Sequence, residues 1–107
     1  VGNSKFEQQG IPDFDNADLH FQRAVDADPN FARAYAGLAQ TNFSRFFWKS
    51  SPGMVEFAKA GITAANAAHE LDPLDPMCAL VDARRNFFIG DHQMGESKLR
   101  HAISLSP

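Results

Sequence analysis

Between positions 54 and 71 apolar or small side chains recur at three- and four-residue steps: Met54, Phe57, Ala58, Gly61, Ile62, Ala65, Ala68 and Leu71. That spacing lines one face of an α-helix. Ser51-Pro52 supplies its start signal, a hydroxyl cap followed by proline in the first turn. The same periodicity predicts four further helices. One runs from about Asn16 to Asp28, capped by Asp15 or Asn16, with Leu19, Phe21, Ala24 and Val25 inward. Another runs from Phe31 to Lys49, with Tyr35, Leu38, Ala39, Asn42 and Phe46 inward. Asp75-Pro76 opens a helix that reaches Ile89, and Gly90-Asp91 breaks it. Asp91 caps the last, whose apolar positions are Met94, Leu99, Ala102, Ile103 and Leu105. The predicted class is all-α. Residues 1–14, "VGNSKFEQQGIPDF", show little apolar periodicity and are expected to be a frayed or incomplete helix.

The helices repeat a pattern. "FQRAVDADP", "ANAAHELDP" and "LRHAISLSP" end at Pro29, Pro73 and Pro107, the last two 34 residues apart and the first two 44 apart. Five residues before each proline stands an alanine (Ala24, Ala68, Ala102), and twelve before stands a small residue (Ala17, Gly61, Gly95). Eight before are Phe21, Ala65 and Leu99. Reading forward from Pro29 and Pro73, Ala39 matches Ala83, Asn42 matches Asn86, and Phe43 matches Phe87. Small residues at fixed offsets let helices approach closely, and the proline stops the helix before it. The unit is helix, turn, helix, proline. The ten extra residues of the longer unit add about one and a half turns to each of its two helices at 3.6 residues per turn. Lengthening both keeps their apolar faces paired.

Together these endings, with "ARAYAGLAQTNF" and "MCALVDARRNFFIGDHQMGESKLRHAISLSP", resemble the tetratricopeptide repeat family over residues 15–107. The resemblance implies a right-handed superhelical array of antiparallel hairpins, with about two full repeats and a partial one before them. Its segments would be 1–14 (the incomplete first helix), 15–29 (second helix of the partial repeat), 30–73 (the extended repeat) and 74–107 (a regular repeat). Some positions depart from the family pattern: Asp82 stands where leucine is usual, Asn42 and Asn86 where an aromatic is usual, and Gly61 and Gly95 where alanine is usual. The family binds protein segments in a concave groove lined by the first helix of each repeat. Carried over position by position, that groove comprises Arg33, Ala36, Gln40, Phe43, Ser44 and Phe47, then Met77, Leu80, Arg84, Phe87 and Phe88. Ala36, Gln40, Met77 and Val81 occupy the places where chaperone-binding members carry a basic clamp for a terminal carboxylate, so that clamp is absent. The wording "AVDADPNFARAYAGLA" is also similar to repeat regions of bacterial nucleotide cyclases and transcriptional activators. That likeness implies an alternative role, regulation or self-association within a larger signalling protein.

The aromatic stretch "FSRFFWKSSPG" is then expected to serve two faces. Phe46 continues the inward stripe and should meet Phe57 or Met54 across the hairpin, while Phe43 and Phe47 extend the groove wall. Trp48 is expected to cover the core, since tryptophan is usually largely buried.

Composition narrows the function. At 107 residues, 44% apolar and 21% charged, the chain is one soluble domain's worth. A formal charge of −3 gives no support to nucleic-acid binding. One cysteine, and no apolar run of leader or membrane-spanning length, predict a cytoplasmic protein. The initial Val suggests a processed chain or a piece cut from a longer one. No chemical motif survives inspection. "DFDNADLHF" lacks the central glycine of a calcium loop, and Pro73 stands where His69-Glu70 would need a second zinc ligand. His20, His69, His92 and His101 have no ligand spacing, and Cys78 has no placed base. The expectation is a binding module with no catalytic residue, cofactor or metal. Its partner would be a protein or peptide, with self-association through the open face of the last helix (Met94, Leu99, Ile103) as a further possibility. Arg33, Arg84 and Arg85 beside Phe43, Phe87 and Phe88 suit a ligand with acidic and apolar groups.

Overall fold

The computed structural model describes residues 13–48 and 53–106, and every element there is a helix. They are α1 (Phe14–Ala27), α2 (Ala32–Trp48), α3 (Met54–Leu71), α4 (Pro76–Phe88) and α5 (His92–Leu105). The expected Ser51-Pro52 helix start, the segment before Asp13, Lys49 and Pro107 lie outside the described residues.

Local chemistry explains the helix ends. Asp75 caps α4, its carboxylate accepting the N–H groups of Met77 and Cys78 at 3.0 and 3.1 Å, with Pro76 in the first turn. Asp91 caps α5 by accepting from Met94 N–H at 3.2 Å. Between them the chain reverses in a Schellman motif: Asp91 N–H donates to the Asn86 carbonyl and Gly90 N–H to that of Phe87. Gly90 carries the positive φ of 88° that this motif needs and a side chain resists. The start of α1 differs from expectation. Asp13, rather than Asp15 or Asn16, is the cap, accepting from Asn16 N–H at 3.1 Å, so the helix begins two residues earlier. Asp15 is thereby inside the helix and reaches Arg45 at 2.8 Å. α3 begins behind Gly53, which makes no side-chain cap.

Packing places α2 at the centre: α1, α3 and α4 all lie against it, while α3 also packs on α4 and α5 packs on α4. The periodicity of α2 accordingly broadens, with Ala34, Ala36, Gly37, Leu38, Ala39, Thr41, Asn42 and Phe43 all buried. The core is built largely of alanine, including Ala36, Ala39, Ala65, Ala68 and Ala83 with no exposed surface. Small side chains contribute little each, so aromatic rings seated on glycines supply the bulk. A Cβ on Gly61 would lie 2.5 Å from the Phe43 ring, and one on Gly95 would lie 3.0 Å from the Phe87 ring. These two ring–glycine contacts, α2 on α3 and α4 on α5, join residues at matching offsets in the two units. Phe21 of α1 seats in the same way on Gly37 of α2.

Three apolar residues depart from their expected placement. Leu19, expected inward, is exposed, because α1 packs only against α2 among the described elements and its flank meets no helix. Trp48 is 56% exposed at the last turn of α2 and covers no core. Phe46 turns to α4 instead of across the hairpin, its ring 5.1 Å from Phe88 and 5.4 Å from Phe47. The place opposite Phe57 is taken by Arg45, whose guanidinium lies 4.3 Å above that ring. Among the described residues no helix is long and apolar enough to cross a membrane.

Candidate functional site

The α2–α4 contact brings some residues of each expected groove set together. At one end Arg33 donates from Nε to the Asp75 carboxylate at 2.8 Å and pairs with it through a terminal nitrogen at 2.8 Å. Burial alone would raise the Asp75 pKa. The Arg33 hydrogen bond and the backbone N–H of Cys78 outweigh it and hold that carboxyl below the usual range. Burial and the adjacent Asp75 push the Cys78 thiol up to about 12, so this enclosed cysteine is a packing residue.

Further along, Arg84 of α4 donates to the side-chain oxygen of Gln40 on α2. Gln40 and Arg84 occupy the same offset in their units. The guanidinium of Arg84 lies 5.4 Å from the Phe43 ring centroid, in cation–π contact. Burial disfavours its charged form and lowers its pKa from the ordinary arginine value, although it stays protonated at neutral pH. At the far end Phe88 is the hub of an aromatic cluster, stacked on Phe43 at 4.4 Å and edge-on to Phe46 and Phe47. Phe47 is 69% exposed.

The expected groove residues therefore divide. Arg33, Gln40, Phe47, Arg84 and Phe88 meet on the α2–α4 face, while Met77 and Leu80 are half-buried on α4. Ala36 and Phe43 have no exposed surface and cannot touch a partner: helical spacing put them on that face, but α3 and α4 close over them. Phe87 sits over Gly95 with His92 at 5.7 Å, so its ring belongs to the α4–α5 interface. Arg85 is committed to Asp82 at 3.0 Å.

Asp82 is the main polar feature of the second hairpin. Its side chain is 5% exposed and meets Arg85 of its own helix, Lys98 of α5 at 3.0 Å, and His69 of α3 at 3.7 Å. Burial would raise its pKa, but hydrogen bonds from Lys98 and Arg85 and the nearby His69 hold it below the usual value. The Asp82 carboxylate thus ties α4 to α5 by charge and lies against His69 of α3.

One cleft was not anticipated. It measures about 750 Å³, floored by α2 and walled by α1 and α3, which do not touch each other. Val25 of α1, Leu38 of α2 and Ala64 of α3 form its apolar lining, and Asp18, Asn42 and Arg45 form a polar end. Asn42 donates to Asp18 at 3.1 Å, and Arg45 lies between Asp15 and Asp18 with its Nε buried and unpartnered. Arg45 pairs with residues about thirty positions away, and no local spacing signals that. Its charge is already neutralised by Asp15 and Asp18, whereas Arg84 on the α2–α4 face meets no carboxylate among the described residues. Among the described residues no group of histidine, cysteine or carboxylate side chains is arranged to hold a metal ion. No protein-family model matches this chain, and no curated protein matches it.

Proposed function

We propose that this chain is a tetratricopeptide-like interaction module that binds a segment of another protein along the face made by α2 and α4. The observation that carries the reading is the exposed ring of Phe47, held edge-on to Phe46 and Phe88 on the face where helices two apart in the chain meet. A large aromatic side chain fixed by its neighbours and open to solvent loses little entropy on binding and buries much apolar area. Matching offsets support the hairpin repeat: Phe43 on Gly61 and Phe87 on Gly95 are the same contact made twice. Function here is preorganisation, since stacked helices hold the contact residues in place before a partner arrives.

The test is selection of short random peptides displayed on phage against the immobilised chain. Peptides are expected to be enriched on the wild type and to lose binding at least tenfold on Phe47→Ser. Thr63→Arg, in the opposite cleft, should leave their binding unchanged. Enriched peptides that bind Phe47→Ser as well as wild type, or that lose binding on Thr63→Arg, would place the interface elsewhere.

A further inference from the structure

We infer that the segment bound on this face is acidic: it presents an aspartate or glutamate side chain to Arg84 and a large apolar side chain to Phe47 and Phe88. The inference rests on the binding role proposed above and specifies its ligand.

Charge accounting is the first ground. Among the described residues the other partly buried cations sit on carboxylates: Arg45 on Asp15 and Asp18, and Arg85 and Lys98 on Asp82. Even the largely exposed Arg33 is held by Asp75. Arg84 is the exception: among the described residues it is half-buried against the amide of Gln40 and the ring of Phe43, with no carboxylate beside it. A guanidinium removed from water without a counter-charge is costly, and a carboxylate brought by a partner recovers that cost through a strong, charge-assisted bond. Gln40 is neutral and attached by a single bond, so it can yield to a carboxylate or share the guanidinium with it.

The number of free cations selects the kind of acid. Arg33, the other arginine pointing along this face, is occupied by Asp75, so one positive charge is available. A phosphorylated side chain carries nearly two negative charges and is usually met by an arginine cluster. A chain-terminal carboxylate is captured by converging backbone N–H groups or by a clamp of several basic side chains; the N–H groups at the start of α4 are already taken by Asp75, and Ala36, Gln40, Met77 and Val81 supply no clamp. One carboxylate side chain matches one guanidinium.

Spacing supplies the rest. Arg84 and Phe88 are one turn apart on α4, about 6 Å along the axis. The Phe47 ring, 5.6 Å from that of Phe88, extends the apolar surface outward. The acid and the apolar anchor of the ligand are therefore two positions apart in an extended segment, or three to four apart in a helical one.

Peptides enriched in the phage selection provide the experiment. The consensus should contain Asp or Glu at one of those distances from Leu, Phe or Trp. In fluorescence anisotropy with the tightest peptide, Arg84→Gln should weaken binding at least tenfold, and replacing the peptide's acid by its amide should do the same. The two changes together should cost little more than either alone, as for directly coupled groups. Should Arg84→Gln lose its helical circular dichroism, the peptide substitution on the wild-type protein decides alone. A consensus without an acid, or amide peptides that bind as tightly, would overturn the acidic ligand while leaving a Phe47-dependent module standing. Failure to enrich any peptide would overturn both.

Discussion

Asp82 shows what a single residue can do against its surroundings. A carboxylate is among the least favourable side chains to bury, yet here it is enclosed, paired with Arg85 of its own helix and Lys98 of α5, with His69 of α3 beside it. Its removal leaves Lys98 and Arg85 unpaired, but both keep some access to water, which limits the loss. Asp82→Asn should therefore cost about 2 kcal/mol at neutral pH, less than the 3–5 kcal/mol typical of breaking a fully enclosed pair. The folded-state pKa is depressed, so the contribution is complete above the unfolded value of about 3.9 and is lost as pH falls through the lower folded value. Urea midpoints of wild type and variant should differ at pH 7 and converge in acid. Equal midpoints at pH 7 would mean that the cluster adds nothing to stability. From sequence alone Asp82 was visible as a departure from the pattern the chain resembles, but the side chains that surround it were not. Lys98 lies sixteen residues on, and His69 on the preceding helix.

At the level of the elements, the two ring–glycine contacts make a controlled comparison. In Gly61→Ala the new methyl would stand 2.5 Å from a Phe43 ring that has no exposed surface and is stacked on Phe88 at 4.4 Å. That ring has nowhere to go, and overpacking of this kind costs about 1–3 kcal/mol, more than the roughly 1 kcal/mol that alanine gains over glycine in a helix. In Gly95→Ala the methyl meets a half-buried Phe87 at 3.0 Å, and a shift of a few tenths of an ångström suffices. Thermal unfolding should show Gly61→Ala lowered by several degrees and Gly95→Ala near wild type. A Gly95→Ala midpoint depressed as far as that of Gly61→Ala would show that Phe87 is as confined as Phe43. The helices were legible because caps and periodicity are local: Asp75, Pro76, Gly90 and Asp91 each act within a few residues. The cap of α1 was misplaced because "DFD" offers two aspartates with the same local chemistry, and Asp15 is drawn away by Arg45 on another helix.

Across the whole molecule, stability should fall from the centre outward. α2 is enclosed by three helices, whereas among the described elements α1 rests on α2 alone and α5 on α4 alone. The outward face of α5, expected to be open, carries exposed Met94 and Ile103. Local opening follows such differences in packing, so amide hydrogen exchange should be fastest in α1 and α5 and slowest in the middle of α2. Protection in α5 equal to that of α2 would show a single cooperative unit.

What the sequence determined by itself is the set of helices, their pairing into hairpins, and the offset at which one hairpin echoes the other. These follow from 3.6-residue periodicity, capping chemistry and the spacing of alanine, glycine and proline, all readable along the chain. Tertiary structure alone decided which side of each helix remained open. Phe43 and Phe47 share a helical face, yet one is enclosed by α3 and α4 and the other projects past them. Arg45 and Arg84 look alike as half-apolar helix residues, yet one is neutralised by Asp15 and Asp18 and the other, among the described residues, meets an amide and a ring. Burial and charge compensation are set by neighbours on other helices, 18 to 45 positions away for Phe43 and Arg45, and no local pattern encodes the distance between them.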